Sequence, residues 1–227
     1  MIFRKDNFLQ RFIKKSCYVT NSKKSLYITD KLNKPFFLTF VWNKKLTLKE
    51  QIKFNSQFSS KLVVYKKKFT KQEHIKNICR NSVKSDKKNL ERIISKTKSL
   101  SRFIQDKKIN KKLIKNFRKE WILNYFKNKK NKKLIVCEIN QKLAGFVLLK
   151  DFLKYLRIEI IIADPKYRSY EVGSSMISYI NNIYLGKRSF LIAGTQSTNK
   201  RAIKFYKKNE FTKYETRFYY HIYSKHT

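Results

Sequence analysis

Three apolar runs in close succession constrain this chain most: Leu134–Ile139, Leu143–Leu149 and Leu156–Ala163. Each has the length of a strand and is too short for a core helix. Asn140–Gln141 separates the first two, which is a hairpin signal. Pro165 follows the third and ends it. A meander of this kind has two faces to cover, and helical patterns lie on either side of it in the sequence. Upstream, Leu90, Ile93 and Ile94 have helical spacing, and Leu113, Phe117, Trp121 and Tyr125 recur every fourth residue. Downstream, Met176, Ile177, Ile180, Ile183 and Tyr184 form a helix face, with Gly186 placed to end it. Phe190–Ala193 reads as a short buried strand, Asn199–Lys208 as a helix and Tyr214–Ile222 as a last strand. From Lys87 the order is helix, helix, β, β, β, helix, β, helix, β. Periodicity alone makes this an α/β (α+β) chain with a mixed sheet.

Residues 1–70 read as a separate α/β extension ahead of a main domain at 71–227. In it Ser25–Ile28, Phe36–Trp42 and Leu62–Phe69 are strand-like. Leu46–Phe58 is helix-like, with Thr47 placed to cap it and Glu50 three residues on. No chemistry is visible there, and the expectation is a structural layer. Lys71–Asp86 reads as a connector. With only four glycines and two prolines, long uninterrupted elements are expected. The most apolar run, Pro35–Trp42, is far too short to span a bilayer. The first residues lack the apolar core of a signal peptide. Cys17, Cys79 and Cys137 are odd in number with no C-x-x-C spacing, which points away from a disulfide framework or a metal site. The expected setting is therefore the reducing cytoplasm, with no metal.

The formal charge is +40, and a field of that sign attracts nucleic acid, phosphorylated molecules or anionic membrane. The lysines are spread through the chain among Asn, Ile, Phe and Tyr, all residues with A/T-rich codons. A coding bias produces such a charge without any partner, so nucleic acid is not the expected partner. The sharpest basic cluster, Lys127–Lys133, reads as a solvated loop.

Two stretches carry chemistry. After Pro165 comes K-Y-R-S-Y-E-V-G-S-S-M, at a strand-to-helix junction where free N–H groups and the helix dipole favour an anion. Thr195–Phe211 reads T-Q-S-T-N-K-R-A-I-K-F-Y-K-K-N-E-F. Together they resemble the GNAT N-acetyltransferases, with their R/Q-x-x-G-x-G/A loop and N-x-x-A-hydrophobic-x-hydrophobic-Tyr block. The matching residues are Arg168, Gly173, Asn199, Ala202, Ile203, Phe205, Tyr206 and Phe211. Glu171 stands where the middle loop glycine is expected, and Glu210 where a glycine precedes the final Phe. The resemblance implies a GNAT fold with a splayed mixed sheet, and acetyl-CoA as cosubstrate. It implies cofactor contacts from the loop, Arg168, Ser169, Tyr170, Glu171, Val172, Gly173 and Ser174. Further contacts are implied from backbone at Ile162 and Ala163, and from Asn199, Ala202 and Tyr206. Tyr206 is the implied general acid for the leaving thiolate. Glu159, beside this strand's apolar residues, is a candidate base, directly or through water.

Ser101-Arg102-Phe103, Trp121 with Asn124, and Gly194-Thr195-Gln196 resemble, more narrowly, the dTDP-fucosamine acetyltransferase type. That resemblance implies N-acetylation of a dTDP-4-amino-4,6-dideoxyhexose for lipopolysaccharide or O-antigen synthesis. Arg102 and Phe103 would then lie on the acceptor side, the Arg on phosphate and the ring stacked. Trp121 reads as core. A homodimer follows by family analogy only. Two alternatives stay open: a GNAT acting on a protein or other amine, and a non-catalytic GNAT that binds an anion such as RNA.

Overall fold

The computed structural model describes residues 3–97, 102–110, 112, 116–127 and 131–224. Its strands are β1 (Arg4–Lys5), β2 (Ser16–Thr20), β3 (Phe36–Trp42), β4 (Ser56–Lys68), β5 (Ile78–Asn81), β6 (Lys132–Ile139), β7 (Lys142–Asp151), β8 (Tyr155–Ala163), β9 (Phe190–Gln196) and β10 (Thr212–Tyr223). They form one mixed sheet in the order β1-β2-β3-β10-β4-β9-β8-β7-β6-β5. The α-helices are α1 (Asn7–Ile13), α2 (Leu48–Lys53), α3 (Lys87–Ser95), α4 (Arg102–Gln105), α5 (Phe117–Lys127), α6 (Val172–Tyr184) and α7 (Lys200–Lys208).

The β6–β7 hairpin turns at Asn140 and Gln141, both with positive φ (47° and 60°), the geometry of a type I′ turn. Alternation along these strands sorts the helices onto two faces. Leu134, Val136, Phe146 and Leu148 pack with Leu90, Ile93 and Ile94 of α3 and Ile122 and Tyr125 of α5. Ile135, Cys137, Val147 and Leu149 point the other way, onto Val172, Met176, Ile177 and Ile180 of α6. The expected helix order therefore wraps the meander. Leu113 of the upstream stripe, and residues 128–130 of the basic run, lie outside the described residues.

Three expectations are corrected. Ser25–Ile28 is not a strand but part of a 3₁₀ helix, Lys23–Lys31. Ser25 bonds the Thr20 hydroxyl (2.8 Å) and the Ser22 carbonyl, and such local bonds compete with a ladder. The connector contains a strand, β5, paired antiparallel with β6. The helix at Leu46–Phe58 is only α2, since the chain turns at Asn55 and enters β4. The Thr47–Glu50 capping box forms as expected.

The N-terminal residues are part of the same sheet. β4 lies between β9 and β10 and pairs antiparallel with both: Val64 faces Gly194 on one side and Glu215 on the other. β8 and β9 are parallel, and their pairing stops at Ile158↔Ala193. Beyond that point β8 stays with β7 and β9 stays with β4, so the sheet splays open.

Candidate active site

The splay leaves one edge of β8 unpaired from Glu159 to Ala163. Backbone groups on that edge lack ladder partners, so an extended ligand could take the place of a strand there. A register shift between Leu148 and Leu149 sets Glu159 in a bulge, with Ile158 and Ile160 opposite neighbouring residues of β7. The bulge interrupts the strand's in-and-out alternation, and consecutive residues from Ile158 to Ala163 line the opening. The cavity holds about 1290 Å³. That exceeds the roughly 300–1,000 Å³ of ordinary small-molecule pockets and leaves room for two ligands.

One end of the cavity is the junction into α6. Asp164 caps the 3₁₀ turn Pro165–Tyr170, its carboxylate accepting from the Lys166 N–H (3.1 Å) and pairing with Arg92 (2.8 Å). The first α6 bond runs from the Ser175 N–H to the Glu171 carbonyl (2.9 Å). The N–H groups of Val172, Gly173 and Ser174 precede it and have no intrahelical acceptor. Arg168, Ser169, Glu171, Gly173 and Ser174 line the cavity. A Cβ on Gly173 would sit 2.7 Å from the Phe205 ring of α7, so glycine lets the two helices close up. Val172 and Tyr170 differ from expectation. Val172 is fully buried in the core, and the Tyr170 side chain is exposed outside the cavity lining.

Glu171 has φ 56°, the left-handed region, and so does Glu210 at φ 63°. These are the two positions where the resemblance expects glycine, and the backbone explains why. Each carboxylate is held by lysine. Glu171 bonds Lys76 (3.1 Å) and Lys208 (3.0 Å), which hold its carboxyl below the usual range. Glu210 bonds the buried Lys67 (2.8 Å), which also pairs with Glu73 (2.9 Å). The charge on the loop is thus neutralised rather than bare.

Tyr206 lies at the floor, 4% exposed, its ring stacked on Tyr65 of β4 at 5.8 Å. Burial pushes its phenol well above the ordinary value of 10, so it keeps its proton at neutral pH. Asn199 caps α7, its Oδ1 accepting from the Ala202 N–H (3.2 Å). Its amide nitrogen has no protein partner among the described residues, and both Asn199 and Ala202 line the cavity. Glu159 is paired with Arg157 and lines the opposite wall.

The other end of the cavity is walled by Ser60 and Leu62 of β4, Tyr219 of β10, Arg102 of α4, and Arg118 and Trp121 of α5. The Arg102 guanidinium lies over Phe103 (4.2 Å) and Tyr219 (4.7 Å). Its Nε is buried with no partner. Phe103 does not line the cavity. Its ring is buried against Phe37 and Phe117 and stacks on His221. Behind it His221 is fully buried and bonded through Nδ1 to Asp106, which also accepts from the Tyr223 hydroxyl (2.7 Å).

The acetyltransferase (GNAT) family matches residues 99–211. That match spans 113 of the 227 residues, and over this segment the chain is similar to the GNAT acetyltransferases. Acetyl-CoA-dependent transfer to an amine is the reaction class of this domain. Solved structures agree on the fold. A conserved protein of unknown function from Staphylococcus epidermidis superposes with a TM-score of 0.68 at 12% identity, over 97% of this chain and 91% of its own. A GCN5-related N-acetyltransferase from Sphaerobacter thermophilus gives 0.58 at 8%, over 97% and 76%. One from Kribbella flavida gives 0.56 at 6%, over 93% and 82%. No curated protein matches the sequence. Among the described residues no group of three His, Cys, Asp or Glu gathers as metal ligands, and no helix is long and apolar enough to cross a membrane.

Within this GNAT frame the structure brings together Glu159, Ile162, Ala163, Arg168, Gly173, Asn199 and Tyr206 around one cavity, with Arg102 at its far end. Sequence reasoning missed Ser60, Leu62 and Tyr219, which reach the wall only because β4 enters the sheet centre. Trp121, read as core, packs half-buried against the α3–α5 cluster and also lines the cavity wall.

Proposed function

We propose that the chain transfers acetyl from acetyl-CoA to the amine of a nucleotide-linked amino-deoxysugar, a dTDP-4-amino-4,6-dideoxyhexose, in a ternary complex. The observation that carries the transfer is the splay of β8 from β9 above a buried, protonated Tyr206. The pantetheine arm would lie along the free edge of β8 at Ile162 and Ala163, with the amide of Asn199 as a further donor. The pyrophosphate would meet the free N–H groups of Gly173 and Ser174, with Arg168 and Ser169 beside them. The amine nitrogen attacks the thioester carbon, a C–N bond forms and the C–S bond breaks. Glu159 takes the ammonium proton, directly or through water. Tyr206 hydrogen-bonds the sulfur as negative charge develops and gives it the proton, leaving free CoA thiol and the amide.

The sugar-nucleotide acceptor is supported by the S-R-F, W-x-x-N and G-T-Q motifs, by a cavity larger than one ligand needs, and by Arg102 at its far end. Residues 1–70 serve in this reading as an extension whose β4 completes the acceptor wall. The setting is the cytoplasm, upstream of surface-polysaccharide assembly. The test is acetyl-CoA-dependent thiol release with dTDP-4-amino-4,6-dideoxygalactose. Turnover should fall about 10²–10⁴-fold in Tyr206→Phe, the usual range for a lost proton donor. Turnover with simple amines but none with the sugar nucleotide would remove the acceptor. Unchanged turnover in Tyr206→Phe would remove the acid.

A further inference from the structure

The acid groups lining the cavity are already paired. Glu91 bonds Lys119 (3.2 Å), Glu159 bonds Arg157, and Glu171 bonds Lys76 and Lys208. Two arginines in the far wall are not. Among the described residues no carboxylate lies within ion-pair distance of Arg102 or Arg118. Arg102 keeps its Nε buried and unbonded. Arg118 gives one N–H to the Thr97 carbonyl (3.0 Å) and has no other protein acceptor among the described residues. Asp6 acts on Arg102 only from beyond ion-pair distance, so both half-buried guanidiniums lack a bonded counter-charge, and a structure keeps such a pair where a ligand supplies the charge. A guanidinium presents a planar fork of donors suited to phosphate oxygens. Ser60 and Tyr219, which face each other across β4 and β10, line the same wall.

We infer that Arg102 and Arg118 together form a diphosphate subsite at the acceptor end, with Arg118 as a specificity-determining residue. The inference rests on the acceptor being an amine-bearing nucleotide, as proposed above. An amine without an anion would leave both guanidiniums unpaired, and a polycationic acceptor would be repelled by them.

The subsite can be tested without turnover. Binding of CoA is measured first by calorimetry. Inorganic pyrophosphate is then titrated into protein alone and into protein saturated with CoA, so that the cofactor's own phosphate site is filled. The expected result is a second, CoA-independent pyrophosphate site. It should weaken about tenfold or more in Arg102→Gln and in Arg118→Gln, the effect of losing a charge-assisted bond. Arg118→Lys should restore it in part. Arg4→Gln, an exposed arginine on β1 remote from the cavity, should leave it unchanged. Acetate titrated in the same way separates a carboxylate site from a diphosphate site, and tighter binding of acetate would overturn the inference. So would a single pyrophosphate site that CoA abolishes, or an equal loss in Arg4→Gln, which marks general attraction to a basic protein. Failure of CoA to bind would count against the acetyl-transfer reading, while the Arg118 dependence would still decide this one.

Discussion

Gly145 on β7 sits where three parts of the site meet, and a single methyl group there tests how they are joined. A Cβ at this position would lie 2.6 Å from Cγ1 of Val172, 2.7 Å from the carbonyl oxygen of Ile162 and 3.3 Å from Cα of Ala163. Val172 opens α6, and Ile162 and Ala163 form the free edge of β8. Two of the three obstacles are backbone atoms, which cannot rotate away. Gly145→Ala must therefore push β8 and the start of α6 apart by several tenths of an ångström. Overpacking of this kind costs about 1–3 kcal/mol, here at the upper end, against about 0.5–1 kcal/mol gained by replacing glycine inside a strand. The net loss is about 2 kcal/mol, which for a chain of this size lowers Tm by about 4–8 °C. The same shift separates the α6 N–H groups from the β8 edge, so KM for acetyl-CoA should rise while the fold is retained. Circular dichroism melts and thiol-release kinetics read both effects. Val172→Ala in the Gly145→Ala background should recover part of the loss, since it removes the closest clash and leaves the carbonyl one. A Gly145→Ala protein with unchanged Tm and unchanged KM would refute the claim that these elements are rigidly packed here.

Other expectations follow from single residues. Glu171→Gly should bind CoA more tightly than Glu171→Ala and be the more stable of the two, since both lose the lysine pairs but only glycine relieves the left-handed backbone; calorimetry and urea unfolding with the reverse order would contradict this. Stability should decline as pH falls below about 6.5. Burial holds His221 below that ordinary value despite the opposing pull of Asp106, so the unfolded chain takes up a proton that the folded one refuses. A second decline belongs to Asp106: burial raises its carboxyl, but bonds from His221, Tyr223 and the Lys108 N–H outweigh that and hold it low, so its contribution persists above about 3.9 and is lost as pH falls further. His221→Phe should flatten the first decline in urea midpoints measured between pH 7.5 and roughly 4.5; a profile identical to the parent would assign the decline to other groups.

Much of the layout could be read from the chain because its signals are local. The hairpin at Asn140–Gln141 needs only two residues able to take positive φ, and the α7 start needs only Asn199 three residues before Ala202. The two family glycines replaced by glutamate are legible as departures, but their meaning is not. Only φ at Glu171 and Glu210 separates a tolerated backbone position from a spoiled phosphate loop, and only distant Lys76, Lys208 and Lys67 neutralise them. The far wall of the cavity was least legible. Ser60 and Leu62 carry no motif, and they reach the cavity through pairing between β4 and strands far along the chain. Phe103 shows the opposite failure: a motif neighbour of Arg102 whose ring turns into the core beside His221.

The position of β4 also bears on how the molecule is made. During synthesis it leaves the ribosome ahead of β5 to β8, and well ahead of both of its partners, β9 and β10. A long strand with Val63, Val64 and Tyr65 on it must wait with both edges open, in the state most prone to join a neighbour's sheet. Lys61, Lys66, Lys67 and Lys68 punctuate that strand and repel a second copy of it. Part of the chain's large positive charge would then protect the nascent protein during the interval before its centre can close.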